Sequence, residues 1–122
     1  MKLFVDTSAL VALADKSDQN HQTARNFFRN AVTEKRYARF VATTFILDEV
    51  ITRIATTLGT SLAFGFAHQL LDSGEFQIEA VDQGLIREAL HLLQKYGDKL
   101  LSFTDLTSFA YMKKMKLTHV MI

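Results

Sequence analysis

The chain has 122 residues, 48% of them hydrophobic, which is enough for one domain with its own core and no stapling. Fourteen Lys and Arg balance 13 Asp and Glu to a net charge of +1, which excludes a histone-like polycation. Cysteine is absent, which excludes a disulfide framework and a thiolate metal site and fits a reducing cytosol, the compartment expected.

Residues 1–20 do not read as a signal peptide, because Asp6 and Asp15 interrupt any apolar core, and no apolar run approaches a membrane span. Residues 2–5 read as a short buried strand, and residues 7–14 as a short helix. From Asp18 onward, Ala24, Phe27, Phe28, Ala31 and Val32 fall at amphipathic helical spacing. Residues 39–42 form a second strand. Leu47, Val50, Ile51, Ile54, Ala55 and Leu58 then make a helical stripe, opened by Thr43 or Thr44 and closed by Gly59. A further stripe of Ala63, Phe66, Ala67, Leu70 and Leu71 ends at Gly74. Residues 76–81 alternate, with Phe76, Ile78 and Ala80 opposite Gln77 and Glu79, as in a half-exposed edge strand. Residues 85–96 are helical with Leu85, Ala89, Leu90 and Leu93 inward. Residues 105–115 are helical with Leu106, Phe109 and Ala110 inward, and 117–122 is a last strand. Strands separated by helices predict a parallel α/β sheet with its ligand site outside the carboxyl ends of the strands.

The acids carry the chemical interest. Asp6 ends the first strand, in VDTSAL, where it either caps the next helix or serves a site. Asp105, in SFTDL, fits a capping box with Ser102, and Thr104 is a second candidate cap. Its helix leads into the last strand, so Asp105 is placed at the same end of the sheet as Asp6. Two carboxylates there would repel unless a cation sat between them. Asp48 and Glu49 are adjacent in FILDEV; at 100° per residue Glu49 lies opposite the apolar stripe and Asp48 on its flank, so periodicity does not choose between them. Asp98 reads as a loop or turn acid.

Other chemistries fall away. His21, His68, His91 and His119 have no zinc spacing. Ser8 lacks the G-x-S-x-G setting of a nucleophile, and no dinucleotide or Walker loop is present. What remains are oxygen ligands suited to a hard cation such as Mg²⁺ or Mn²⁺. The basic runs of Arg25, Arg29, Lys35, Arg36 and Arg39, and of Lys113, Lys114 and Lys116, are more often solvated helix faces than phosphate sites.

Taken together, VDTSAL, FILDEV and LSFTDLTSFAYMKKMKL, in that order over nearly the whole chain, resemble a PIN domain, in particular the toxin ribonucleases of bacterial VapBC toxin–antitoxin pairs. The resemblance maps the family's first three acids to Asp6, Glu49 and Asp105, as catalytic residues and metal ligands. It casts Thr7, Ser8 and Thr104 as supporting hydroxyls. It implies a three-layer α/β fold with a central parallel sheet of order 3-2-1-4, a fifth strand usually lying beyond the fourth. It also implies Mg²⁺- or Mn²⁺-dependent cleavage of RNA, an antitoxin protein as partner, and a homodimer; the accessibility of phosphates and bases favours single-stranded or looped RNA. The family's fourth acid, in a pattern like T-F-D-x-H-F, has no counterpart before Ile122. The expectation is therefore one PIN-like domain over residues 1–122, C-terminally truncated and without the fifth strand. Three carboxylates can still hold one ion, with water completing its shell.

The alternative is a catalytically impaired module that dimerises or binds an antitoxin without cleaving RNA. Phe45, Ile46, Phe64 and Phe66 are candidates for such contacts, set against core packing. A third class, small-molecule phosphoryl chemistry, fits poorly. A haloacid-dehalogenase-like phosphatase would need an acid where Ser8 stands, and a receiver domain would need more acids after the first strand.

Overall fold

Leu3, Phe4 and Val5 are consecutive apolar residues, and strand β1 (Lys2–Val5) buries all three. Neighbouring strand residues point to opposite faces, so this requires a sheet covered on both sides. The computed structural model, which describes residues 1–97 and 99–122, has that arrangement; Asp98 lies outside the described residues. β2 (Arg39–Thr43) and β4 (Val120–Met121) flank β1, and β3 (Phe76–Glu79) pairs outside β2. Every pairing is parallel, and the order is β3-β2-β1-β4, as expected.

Helices α1 (Thr7–Ala14) and α2 (His21–Thr33) join β1 to β2, and α3 (Thr44–Leu58) and α4 (Thr60–Asp72) join β2 to β3. Both crossovers step the same way, and right-handed crossovers then place these four helices on one face. α5 (Gln83–Tyr96) and α6 (Phe103–Met115) return across the sheet to β4 and cover the other face. The register agrees. Leu3, Phe40 and Phe76 form one row, and Phe4, Val41 and Gln77 form the next, on the opposite face. Phe28 of α2 sits edge-on to Phe40 at 5.0 Å and 5.8 Å from Phe76. Tyr111 of α6 lies 5.9 Å from Phe4. No helix among the described residues is long and apolar enough to cross a membrane.

The caps follow the local chemistry. Thr43 caps α3, its hydroxyl accepting from the Ile46 amide at 3.2 Å, and Gly59 ends that helix with φ of +101°, a conformation glycine alone adopts without strain. α2 begins at His21, because Asp18 is taken up in a turn in which its side chain accepts from the Asn20 amide. The last strand is shorter than the expected 117–122. Lys116 closes α6 in the left-handed region at φ of 56°, and the Leu117 amide folds back onto the Met112 carbonyl at 2.9 Å.

Three residues expected inside are outside. Leu90 and Leu93 are 51% and 42% exposed, because α5 is an outermost helix held to α6 through Leu85 and Ala89. Phe109 is 48% exposed. The buried arc of α6 runs from Leu106 through Ala110, Thr107 and Tyr111 to Ser108, and at 100° per residue Phe109 falls opposite its middle. α6 is wedged between sheet and α5, so its first turns bury Thr107 and Ser108, which amphipathic patterning would place outside. Of the four candidate contact residues, Ile46 is core, Phe45 and Phe66 are partly buried, and Phe64 alone stands out, at 69% exposure.

Candidate active site

In the order β3-β2-β1-β4, the chain leaves β1 toward β2 on one face and reaches β4 from the other, so the crevice at the carboxyl end of β1 is where a ligand site forms. Asp6 stands there, half-buried, its amide donating to the Met121 carbonyl at 2.9 Å. Its backbone has N-cap geometry, yet its carboxylate makes no capping hydrogen bond in α1. Of the two roles open to Asp6, the side-chain cap of α1 is therefore not made.

Glu49 arrives from the opposite face, in the second turn of α3, partly buried. The sequence pattern places Asp48 on the flank of the apolar stripe and Glu49 opposite it; the structure reverses this. α3 has two apolar faces. Ile46, Val50 and Ile54 are buried in the core, while Ile51 and Ala55 line a groove shared with α4. Measured from the core-facing face, Glu49 is the flank residue and Asp48 points outward and is exposed.

Asp105 arrives on the third position of α6. Ser102 is the N-cap, not Thr104, and the capping box is complete: the Ser102 hydroxyl accepts from the Asp105 amide and the Asp105 carboxylate accepts from the Ser102 amide, both at 3.1 Å. This fixes Asp105 by one carboxylate oxygen and leaves the second without a bond inside the capping box.

The other two acids act on Asp6. Burial raises the Asp6 carboxyl above its ordinary value; the Thr7 amide opposes this, and the negative charges of Asp105 and Glu49 raise it further. Arg53, one turn beyond Glu49, lowers it. Three carboxylates and one guanidinium from three separate segments are thus within electrostatic reach. Among the described residues, no three acids or histidines are drawn into the spacing of a closed coordination shell. As a donor set, three carboxylates with a half-buried centre fit a hard divalent cation by charge and by oxygen chemistry.

The remaining candidates sort by place. Thr7 is buried with its hydroxyl unpartnered, as is Ser108, one turn past Asp105. Ser8 is exposed. Thr104 is partly buried, and its carbonyl accepts from the Thr107 hydroxyl at 2.7 Å. Asp82, an acid at the end of the third strand, caps α5 through the Leu85 amide at 2.9 Å. Arg53 and Ser108 are the two residues that sequence reasoning missed. The signal for Arg53 was its four-residue step from Glu49 along one helix.

A model of the PIN domain family matches residues 3–121. The structure is similar to that of VapC20 of Mycobacterium tuberculosis, described as a toxin that cleaves the sarcin–ricin loop. The two are 26% identical with a TM-score of 0.85, over 97% of this chain and 86% of that one. It is also similar to VapBC2 of Rickettsia felis, solved bound to a DNA fragment from their promoter. There the identity is 13% and the TM-score 0.69, over 99% and 87% of the two chains, a likeness of fold alone. No curated protein matches the chain.

Proposed function

This chain belongs to the PIN domain family, and we propose that it is a divalent-metal-dependent endoribonuclease, the toxin of a toxin–antitoxin pair. The observation that carries this reading is the half-buried Asp6 at the end of β1, which feels the charges of both Asp105 and Glu49 from distant segments. Helix capping does not account for three acids from distant segments within electrostatic reach at a sheet's ligand crevice, because only one of them caps. The likeness to a toxin that cleaves the sarcin–ricin loop supports RNA as substrate, in an accessible loop or single strand.

Asp6, Glu49 and Asp105 would hold Mg²⁺ or Mn²⁺. When bound, the ion activates water and stabilises charge on the phosphoryl oxygens. Asp105 is steadied for this by the Ser102 amide, and Thr7, Ser8 and Thr104 are the hydroxyls nearest in sequence to Asp6 and Asp105. A carboxylate oxygen takes the proton of the attacking water. Arg53, held near Asp6 without a salt bridge among the described residues, supplies positive charge for the scissile phosphate. The accompanying proposals are an antitoxin protein as partner, a homodimer, and action in the cytosol.

The test is a Mn²⁺ binding isotherm beside an RNA cleavage assay, on wild type and Asp6→Asn. Saturable binding and cleavage in wild type, both lost in the variant, support the reading. A folded wild type that neither binds the ion nor cuts RNA sinks it in favour of the binding module.

A further inference from the structure

A second charged surface lies apart from the carboxylates, in the cleft between α5 and α6. Arg87, His91 and Lys95 follow one another at four-residue steps, so they share one face of α5. They line a cleft of about 390 Å³ together with Lys113 of α6. The cleft continues past Gly84 into a neighbouring one of about 450 Å³ that adds Lys114. α5 and α6 follow one another across a short connection and pack along each other, so the two helices run antiparallel.

The charge balance favours an anionic ligand. Exposed helices gain a few tenths of a kcal/mol by alternating acids and bases at i, i+4. Here the row holds the cations Arg87 and Lys95 with the neutral His91 between them and no acid, and among the described residues Glu88 is the sole carboxylate lining either cleft. None of these cations forms a salt bridge among the described residues. In a chain with a net charge of +1, four permanent cations are gathered on one groove. At its far end Lys95 lies 5.4 Å from the ring of Tyr96, which is 41% exposed. Cations in a row without a salt bridge among the described residues, beside an exposed aromatic, are the parts from which a backbone track and a stacking platform are made. α6 ties this groove to the acids: Asp105 stands eight residues before Lys113, about 12 Å along the helix, the reach of a few nucleotides.

We propose that the α5–α6 groove is a second, non-catalytic site that grips the phosphate backbone of single-stranded RNA flanking the bond to be cut, with Arg87, Lys95, Lys113 and Lys114 binding phosphates and Tyr96 as a base platform. The identity of the polymer rests on the ribonuclease reading. The groove itself does not, and the experiment separates them.

A labelled single-stranded RNA oligonucleotide is titrated with the Asp6→Asn chain across a range of NaCl concentrations, followed by anisotropy. The same titration is made after Arg87→Gln, Lys95→Gln, Lys113→Gln and Lys114→Gln are added together. These residues are exposed, and circular dichroism checks that the fold survives. The expected result is an affinity about tenfold lower or worse at low salt, with a log–log salt slope shallower by roughly 0.7 for each phosphate left without its cation. A control with Lys16→Gln and Arg25→Gln, in the groove between the first helices and α4, keeps the original slope. In the background with Asp6 intact, the four changes raise KM and leave kcat alone. An unchanged slope, or polyglutamate competing as well as RNA, overturns the proposal. Groove-dependent binding by a chain that cuts no RNA keeps the groove and refutes the ribonuclease reading; cleavage with an indifferent groove does the reverse.

Discussion

Asp6 works against the stability of the fold that holds it. Burial and the charges of Asp105 and Glu49 raise its carboxyl above the ordinary 3.8, so the native state binds the proton more tightly than the unfolded chain. Between those two values stability falls as pH rises, because the native state then has to hold an ionised carboxylate it disfavours. Asp6→Asn should therefore melt at a higher temperature than wild type at pH 7, with the difference shrinking toward zero at pH 3. Saturating Mn²⁺ should reverse the ranking. At a hundredfold excess over its Kd the ion would stabilise wild type by about 2.7 kcal/mol and leave the variant where it was. Equal melting temperatures at pH 7 would mean that neither burial nor the neighbouring acids press on Asp6. Arg53 acts in the opposite sense on the same group. Arg53→Gln should move the Asp6 titration, followed by its carboxyl ¹³C shift, to higher pH; no movement would place the guanidinium out of reach.

At the scale of elements, helix starts do the positioning. α3 begins at Thr43 and α6 at Ser102, and each cap sets the turn on which an acid stands. Ser102→Ala removes the acceptor for the Asp105 amide and should cost about 1 kcal/mol in urea denaturation, with an unchanged m value. It should also lower cleavage, because Asp105 loses half of the box that orients it. Stability lost with cleavage intact would mean that Asp105 is held by other groups. Elements also explain what the sequence hid. The pattern of α3 reads as a single helical stripe, whereas the helix serves the core through Ile46, Val50 and Ile54 and the α4 groove through Ile51 and Ala55. The summed pattern points between the two faces, which obscures the choice between Asp48 and Glu49. Likewise α6, covered on two sides, buries Thr107 and Ser108 and leaves Phe109 exposed, against any amphipathic rule.

At the scale of the molecule, the sheet is uneven. β1 and β2 are buried and paired on both sides, while β4 contributes two residues to the far edge. Amide exchange should show the Val41 and Ala42 amides opening only with global unfolding, and the bonds to β4, including that from the Asp6 amide to Met121, opening at much lower free energy. Uniform protection across the four strands would contradict this. The consequence is functional, because the weaker edge lies beside the proposed metal ligand.

The order of elements, the parallel sheet and its strand order were legible in the sequence. Strands of consecutive apolar residues alternating with helical stripes admit few other arrangements, and the three acidic motifs carry their own spacing. Which face each helix shows was not legible, because it depends on how many neighbours the helix has, and these come from distant parts of the chain. Only the tertiary structure brought Arg53 toward Asp6, turned Glu49 rather than Asp48 to the crevice, and ran α5 against α6 so that their cations face one groove. Local pattern determines that a helix forms; packing against its neighbours decides which way it points.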